Sequence, residues 1–450
     1  MNCIPFSEPA RPTRNLDPPS SPVKVRANDL IHKLRSLFNR TMAAFIFFSC
    51  VGIGYGQKIA TLEVQLPMAT RGIGVPASVA LDPVTFVPDS SLTLLAVDGN
   101  KRTAIPFQVG WNNRRSLHWM IPADSSPGKK HIFELVKGKT SSFDLIDATM
   151  KEGELTIHLG SQNLLRYLYK TVYPPLGVDT AFKRSAFIHP LWTPHGQELT
   201  RIQAPDHYHH YGIWNPWTHV LFEGDTVDFW NLKSRKGTVR FGSFIAVNSG
   251  PVYAEFEALH QHIVFKKNGK EKVALNEVQT VRVYRPEKNQ DYYLVDMTIA
   301  LNCASERPFL ILAYRYAGLG WRATEKWNKD NSEVLTSEGK TRKESDGTTA
   351  RWFIVQGTLD HDYGGALWMS YPSNYNHPEP LRIWPENSNT VGELFAMFAP
   401  TKNKDWLLLP GRTYTLKYRF VVFNGHLTKE KAESAWHYYA EPPIVIVKRN

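Results

Sequence analysis

Apolar and polar residues alternate in short runs along most of the chain. "KIATLEVQLP", "VPASVALD", "LTLLAVDG" and "TAIPFQVGW" alternate roughly and are cut by Pro, Gly or Asp. A period of two sends successive side chains to opposite faces of a strand, and such breaks mark turns. "SLHWMIPADSSPGKKHIFELVKG" continues as strand, turn, strand. The pattern predicts a small β-sandwich over 58–145, left through the polar stretch "KTSSFDLIDATMKEG".

Longer alternating runs follow. "ELTIHLGSQNLLRYLYK", "GTVRFGSFIAVN", "VYAEFEALHQHIVF", "NEVQTVRVYRP" and "DYYLVDMTIALNCA" suit the curved strands of a large antiparallel sandwich. "ARWFIVQG", "GGALWMSYP" and "RTYTLKYRFVVFNG" close it. The one convincing helix is "TKEKAESAWHYYAEPP", with Thr428 as N-cap and Pro442 as its stop. The expected fold class is therefore all-β. A small N-terminal β-sandwich precedes a large antiparallel β-sandwich over 150–445 that carries a short C-terminal helix. No internal repeat is visible.

Residues 1–56 read as a leader with a signal peptide. Lys33, Arg35 and Arg40 precede the apolar run "MAAFIFFSCVGIGYG", and the small residues Gly54 and Gly56 place a cut after Gly56. The run is too short to span a membrane, so no stable membrane span is expected. The protein is expected to be exported, to the periplasm or beyond. A lipid anchor at Cys50 is the alternative, although "FFSC" is a poor lipobox. Beyond the leader Cys303 is the one thiol, so no internal disulfide is expected. The formal net charge is +11, but the cations are scattered among acids and form no long run. This does not favour nucleic acid as a partner.

Two tracts, about 173–230 and 321–351, do not alternate and are rich in Trp, Tyr and His. Long irregular connections in compact domains are mostly functional or disordered, and this aromatic content argues against disorder. The densest stretch is "PDHYHHYGIWNPW" at 205–217. Extended backbone would turn His207 and His209 to one side and His210 to the other. A His-x-His pair can chelate a divalent metal, with a third ligand from Asp206, Asp228, His189 or Glu338. A carbohydrate site uses more of the residues. Trp192, Trp214, Trp217 and Trp230 offer flat faces for a pyranose. His189, Asp228, Asn374, Asn376, His377 and Arg382 offer polar partners. His209 and His210 are the candidate acid and base, oriented by Asp206 and assisted by Glu338. Plainer readings stand beside these. Phe229 fits a core, Asp228 can accept backbone N–H bonds, Glu338 can be a loop carboxylate, and Arg382 can form a structural salt bridge.

The stretch "FIHPLWTPHGQELTRIQAPDHYHHYGIWNPW" and the later "DFW" resemble a bacterial family labelled methane oxygenase PmoA-like, a secreted β-sandwich family of unknown function. Its "HPL", "DHPHHRG.W" and "DFW" motifs correspond to 189–191, 206–214 and 228–230. "TSEGKTRKESDGTTARW" and "YPSNYNHPEPLRIW" match further along. Tyr208 stands where the family has Pro, and Tyr211 where it has Arg, so an anion-binding role of that Arg does not carry over. The resemblance implies a secreted β-sandwich protein found beside carbohydrate-degrading enzymes; it supplies no reaction. The expected partner is a carbohydrate or other small polar ligand. The expected function is that of an exported carbohydrate-active protein, a glycoside hydrolase or lyase using the His/Asp cluster. A non-catalytic glycan-binding protein and a metal-dependent oxidoreductase, as the label suggests, are the alternatives. No cofactor is required, and a divalent metal at His207 and His209 is the possible exception.

Overall fold

In the computed structural model, residues 56–111, 114–139, 142–388 and 391–449 are described. The signal peptide, its cleavage and the lipid anchor at Cys50 concern residues outside these, Gly56 at the cut excepted. Two large antiparallel sheets face each other across the main core. One has eight strands, in the order Gly237–Asn248, Tyr253–Phe265, Glu271–Tyr284, Tyr292–Cys303, Thr413–Asn424, Asp362–Ser370, Trp352–Leu359 and Ser332–Thr336. The other has nine, from Thr349–Ala350 through Glu379–Ile383, Phe395–Phe398, Gly320–Arg322, Ile213–Trp214, Phe187–Leu191, Gln162–Leu168 and Glu154–Leu159 to Ile146–Lys151. The chain is all-β, with one α-helix among the described residues.

Alternation assigns each side chain to a layer. Phe353, Val355, Trp368 and Phe420 enter the main core, whereas Trp352, Ile354, Met369 and Val421 face outwards. That outer face is covered by the helix Lys429–Ala440 through Ala432, Ala435 and Tyr439. The Thr428 hydroxyl accepts the Lys431 N–H and caps its start. On the nine-stranded sheet, Ile188, Ile213, Ala396 and Phe398 point inwards. Phe187, Trp214, Phe395 and Met397 point outwards and form a separate cluster under irregular segments.

A five-stranded and a three-stranded sheet built mainly from residues 58–137 enclose a core of Leu62, Leu94, Leu117, Trp119, Phe133 and Leu135. The last strand, Val445–Arg449, returns to pair with Lys58–Gln65, so the first and last strands are neighbours. All of this belongs to one compact unit from Gly56 onwards. No helix among the described residues is long and apolar enough to cross a membrane.

Candidate functional site

The histidine segment crosses the outer face of the nine-stranded sheet. His207–Tyr211 pairs with Ile202–Ala204, with Ala204 opposite His207 and Tyr211 opposite Ile202. The register shifts between these pairs, and Gln203 there has a φ of 49°. Such a bulge sharpens strand twist. The expected split, with His210 facing away from its neighbours, does not survive it. The His207 ring lies 4.7 Å from His210 and 5.3 Å from His209, and His209 lies 4.7 Å from His210. Gly212 follows at a φ of 55°, where a side chain would collide with the Ile188 carbonyl. Only glycine lets the backbone dip here and continue as Ile213–Trp214.

Arg322 anchors the site. In Gly320–Arg322, Trp321 enters the main core and Arg322 points outwards beneath the histidines. Its side chain is 1% exposed. Arg322 Nη2 donates to Asp206 Oδ1 at 3.0 Å and Oδ2 at 2.9 Å, and lies 3.1 Å from Glu393 Oε2. Arg201 donates to Glu393 Oε1 at 2.9 Å. Asp206 Oδ2 also lies 2.8 Å from His207 Nδ1. The result is an alternating chain of Arg201, Glu393, Arg322, Asp206 and His207. Burial alone would raise the Asp206 carboxyl, but His207 and Arg322 outweigh it and hold Asp206 well below the usual carboxylate range.

Burial also sets the other two imidazoles. His209 is pushed down to about 3 by burial, with His207 and Arg184 adding to it. His210, fully buried, is lowered further by burial and by His209 and Arg322. Both rings are neutral across the ordinary pH range. His210 faces the Arg322 guanidinium, Nδ1 lying 3.5 Å from Nη1. Neither ring is suited to be the general acid expected of it, and the Asp206 carboxylate orients His207 instead. Among the described residues, His207 Nε2 has no protein partner.

An aromatic wall completes the cleft. The Trp384 ring lies 4.9 Å from His207 and 4.8 Å from the Arg322 guanidinium carbon. The Tyr316 hydroxyl accepts from Trp384 Nε1 and from Arg382 Nη2, each at 2.8 Å. Its own proton is used in neither bond. Arg382 pairs with Asp346 at 2.6 Å, and Lys402 reaches the same carboxylate at 2.9 Å.

Asp206, His207, His209, His210 and Arg382 therefore gather on this face, while other candidates are placed elsewhere. Trp214 and Trp230 lie under the histidines with exposures of 1% and 2%, so they support the floor rather than offer it to a sugar. Trp217 is sealed in the main core against Trp406. Asp228 accepts the backbone N–H groups of Trp230 and Asn231 and holds a turn. His189 is bonded to Thr200 at 2.9 Å.

Glu338 does not assist the histidines. Its neighbours are Ser337 and Arg351, and Arg351 pairs with Glu433 and covers Trp436 on the helix-covered outer face of the other sheet. His377 lies parallel to Trp436 at 6.4 Å. Asn374 is bonded to buried Glu379, and Asn376 to the Pro400 carbonyl and Asn403. Glu338 and His377 thus lie on the helix-covered side of the other sheet, away from the histidine cleft, while Asn374 and Asn376 are spent on internal bonds. Among the described residues, no group of three His, Cys, Asp or Glu side chains is arranged to hold a metal ion. His207 Nδ1 turns to Asp206 and His210 Nδ1 to a cation, rather than to a common point.

Fold and site together define a β-sandwich protein with an Arg–Asp–His cleft on the outer face of one sheet. Residues 154–437 match the model of a family of unknown function (DUF6807), and the chain belongs to that family. No curated protein matches the chain. Among solved structures it is similar to an alpha-mannosidase from Enterococcus faecalis V583, with 10% identity and a TM-score of 0.40. That match covers 94% of this chain and 49% of the other, so the chain spans about half the length of that protein.

Proposed function

We propose that the protein acts on carbohydrate and that its cleft moves protons at an acidic sugar ring, as a polysaccharide lyase does. The observation that carries this is that the Asp206–His207 pair and the Tyr316 hydroxyl each meet the same Trp384 side chain. Asp206 accepts the His207 Nδ1 proton and leaves Nε2 as a base turned to the cleft. That base takes the proton from the ring carbon next to the sugar carboxylate. The electron pair forms a carbon–carbon double bond, the neighbouring glycosidic C–O bond breaks, and the leaving oxygen takes the Tyr316 proton. Solvent restores both groups. Arg382 and Lys402 share one carboxylate, Asp346, which leaves positive charge at this end for an acidic sugar.

A two-carboxylate hydrolase fits less well. It needs one carboxyl group protonated, whereas Asp206 is held ionised by Arg322 and His207. The test is a panel of uronate-containing glycans, read by the ultraviolet absorbance of the unsaturated product. His207→Gln and Tyr316→Phe are expected to lower turnover by about 10²- to 10⁴-fold. Saturable binding with no product from the parent would transfer the assignment to a glycan-binding protein. Undiminished product from His207→Gln would remove the mechanism.

A further inference from the structure

We infer a second binding site, for an oxyanion such as sulfate or a sugar carboxylate, in the cavity lined by Arg184. The cavity measures about 380 Å³ and is bordered by Thr180, Lys183, Arg184, Arg235, Arg240 and Glu271. This lies within the roughly 300–1,000 Å³ typical of small-molecule sites, so an anion attached to a single sugar ring fits. The inference does not rest on the chemistry proposed for the histidine cleft.

Arg184 is the reason for the assignment. It is 2% exposed, yet among the described residues only its Nη1 has an acceptor, the Phe229 carbonyl at 3.3 Å. Nε is buried and has no partner among the described residues. The other deeply buried arginines are better satisfied. Arg322 has two carboxylates, Arg419 holds Asp296 at 2.5 and 2.8 Å, and Arg342 donates to three carbonyls. Among the described residues no carboxylate stands within ion-pair reach of Arg184. Glu277 and Asp228 are near enough to act on it through space. However, Glu277 is engaged by His262, Asn215 and Gln279, and Asp228 by its own turn. A buried guanidinium without a counter-charge is costly, and an anionic ligand removes the cost.

The charges around the cavity agree. Arg240 is matched by Glu271 at 2.6 and 2.7 Å, and Arg235 by Asp179. Lys183 and Arg184 remain as adjacent cations without ion-pair partners among the described residues. Phe182, just before them, packs on Tyr208 and His209 instead. The cavity and the histidine cleft therefore lie on two sides of one short segment.

The test titrates the full chain with sodium sulfate, sodium glucuronate and a monosaccharide sulfate by calorimetry, with sodium chloride at matched ionic strength as the control. Saturable binding of at least one oxyanion, absent with chloride, is expected. Preference for the sulfated sugar or glucuronate over inorganic sulfate would identify a sugar-borne anion as the ligand; the reverse order would identify the free ion. Arg184→Gln is expected to weaken binding by about 10- to 100-fold, as loss of a charged hydrogen-bond donor does. Exposed Lys183→Ala is expected to weaken it several-fold, and decides the matter should Arg184→Gln not fold. Inorganic sulfate should bind His207→Gln as it binds the parent, which separates this site from the cleft. Absence of saturable binding by all three oxyanions, or parental affinity in the Lys183 and Arg184 variants, overturns the inference.

Discussion

Glu379→Gln should make the protein more stable at neutral pH and leave it nearly unchanged in acid. Glu379 is fully buried. Its Oε1 accepts from Ser370 Oγ at 2.6 Å and Asn374 Nδ2 at 2.8 Å, and its Oε2 from the Tyr418 hydroxyl at 3.0 Å. All three partners are neutral. Burial pushes the carboxyl up to about 7, and the hydrogen bonds offset this only in part. Between the ordinary value of 4.5 and about 7, the folded protein holds a proton that the unfolded chain has released. Stability linked to this group is therefore fully present below about pH 4.5, falls as pH rises, and is lost above about pH 7. The rise from 4.5 to about 7, at about 1.36 kcal/mol per pH unit, amounts to about 3 kcal/mol.

Glutamine has the shape of the protonated acid. Its Oε1 can keep the bonds from Ser370 and Asn374, and its amide can donate to the Tyr418 oxygen. The assay is urea unfolding of parent and variant across pH, taking the difference at each pH so that other titrating groups cancel. The difference should be near zero below about pH 4.5 and reach about 3 kcal/mol in favour of glutamine above about pH 7. Parallel curves would refute the reasoning. A parent more stable than the variant at high pH would show a compensated carboxylate and refute it as well.

Arg322→Met leaves Asp206 and Glu393 without their shared cation. Both keep some exposure, 22% and 17%, and regain water, so the loss should be about 2–3 kcal/mol, below the usual range for a broken buried pair, as read by urea unfolding. Turnover should fall with it. Trp217→Ala removes a core indole and should cost about 3–5 kcal/mol in the same assay, with glycan affinity unchanged in calorimetry. Glu338→Gln should leave both turnover and unfolding midpoint at parental values, because this carboxylate sits with Arg351 on the other outer face.

Much of the architecture was legible because alternation of side chains is a direct consequence of pleating. Alternation is masked where both faces of a strand are buried, although the short apolar run still marks the strand. "RWFIVQG" reads as a continuous apolar run because Phe353 and Val355 enter one core while Trp352 and Ile354 meet the helix side. The histidine segment stood out by composition, yet Arg322 did not. A single arginine in "GLGWRAT" reads as a solvated strand position, and Glu393 in "GELFAMF" is no more conspicuous. Tryptophan spacing was misleading for a related reason. Trp214 and Trp217 are three residues apart in the chain but belong to clusters on opposite sides of one sheet. Glu338 and His377 lie in stretches as distinctive as the histidine segment. Only the sheet order assigns them to another face.

The position of Arg322 explains how a site made from irregular segments can be rigid. Its strand is hydrogen-bonded on one side to Ile213–Trp214 and on the other to Phe395–Phe398. Trp321 is fastened inwards by its stack on Trp368 and by a bond from its indole N–H to the Leu199 carbonyl at 2.8 Å. The guanidinium is thus fixed by a central strand, and it in turn fixes Asp206 from one connection and Trp384 and Glu393 from another. A carboxylate held this way cannot swing towards solvent when His207 changes charge. In the proposed mechanism the imidazole then keeps one orientation through the proton transfer, as a single histidine acting repeatedly as a base requires. Glu393→Gln tests the same logic at one remove. Its carboxylate meets Arg322 and Arg201 rather than His207 or Tyr316, so lowered turnover without loss of glycan affinity is expected to act through these arginines, and parental turnover would refute the idea.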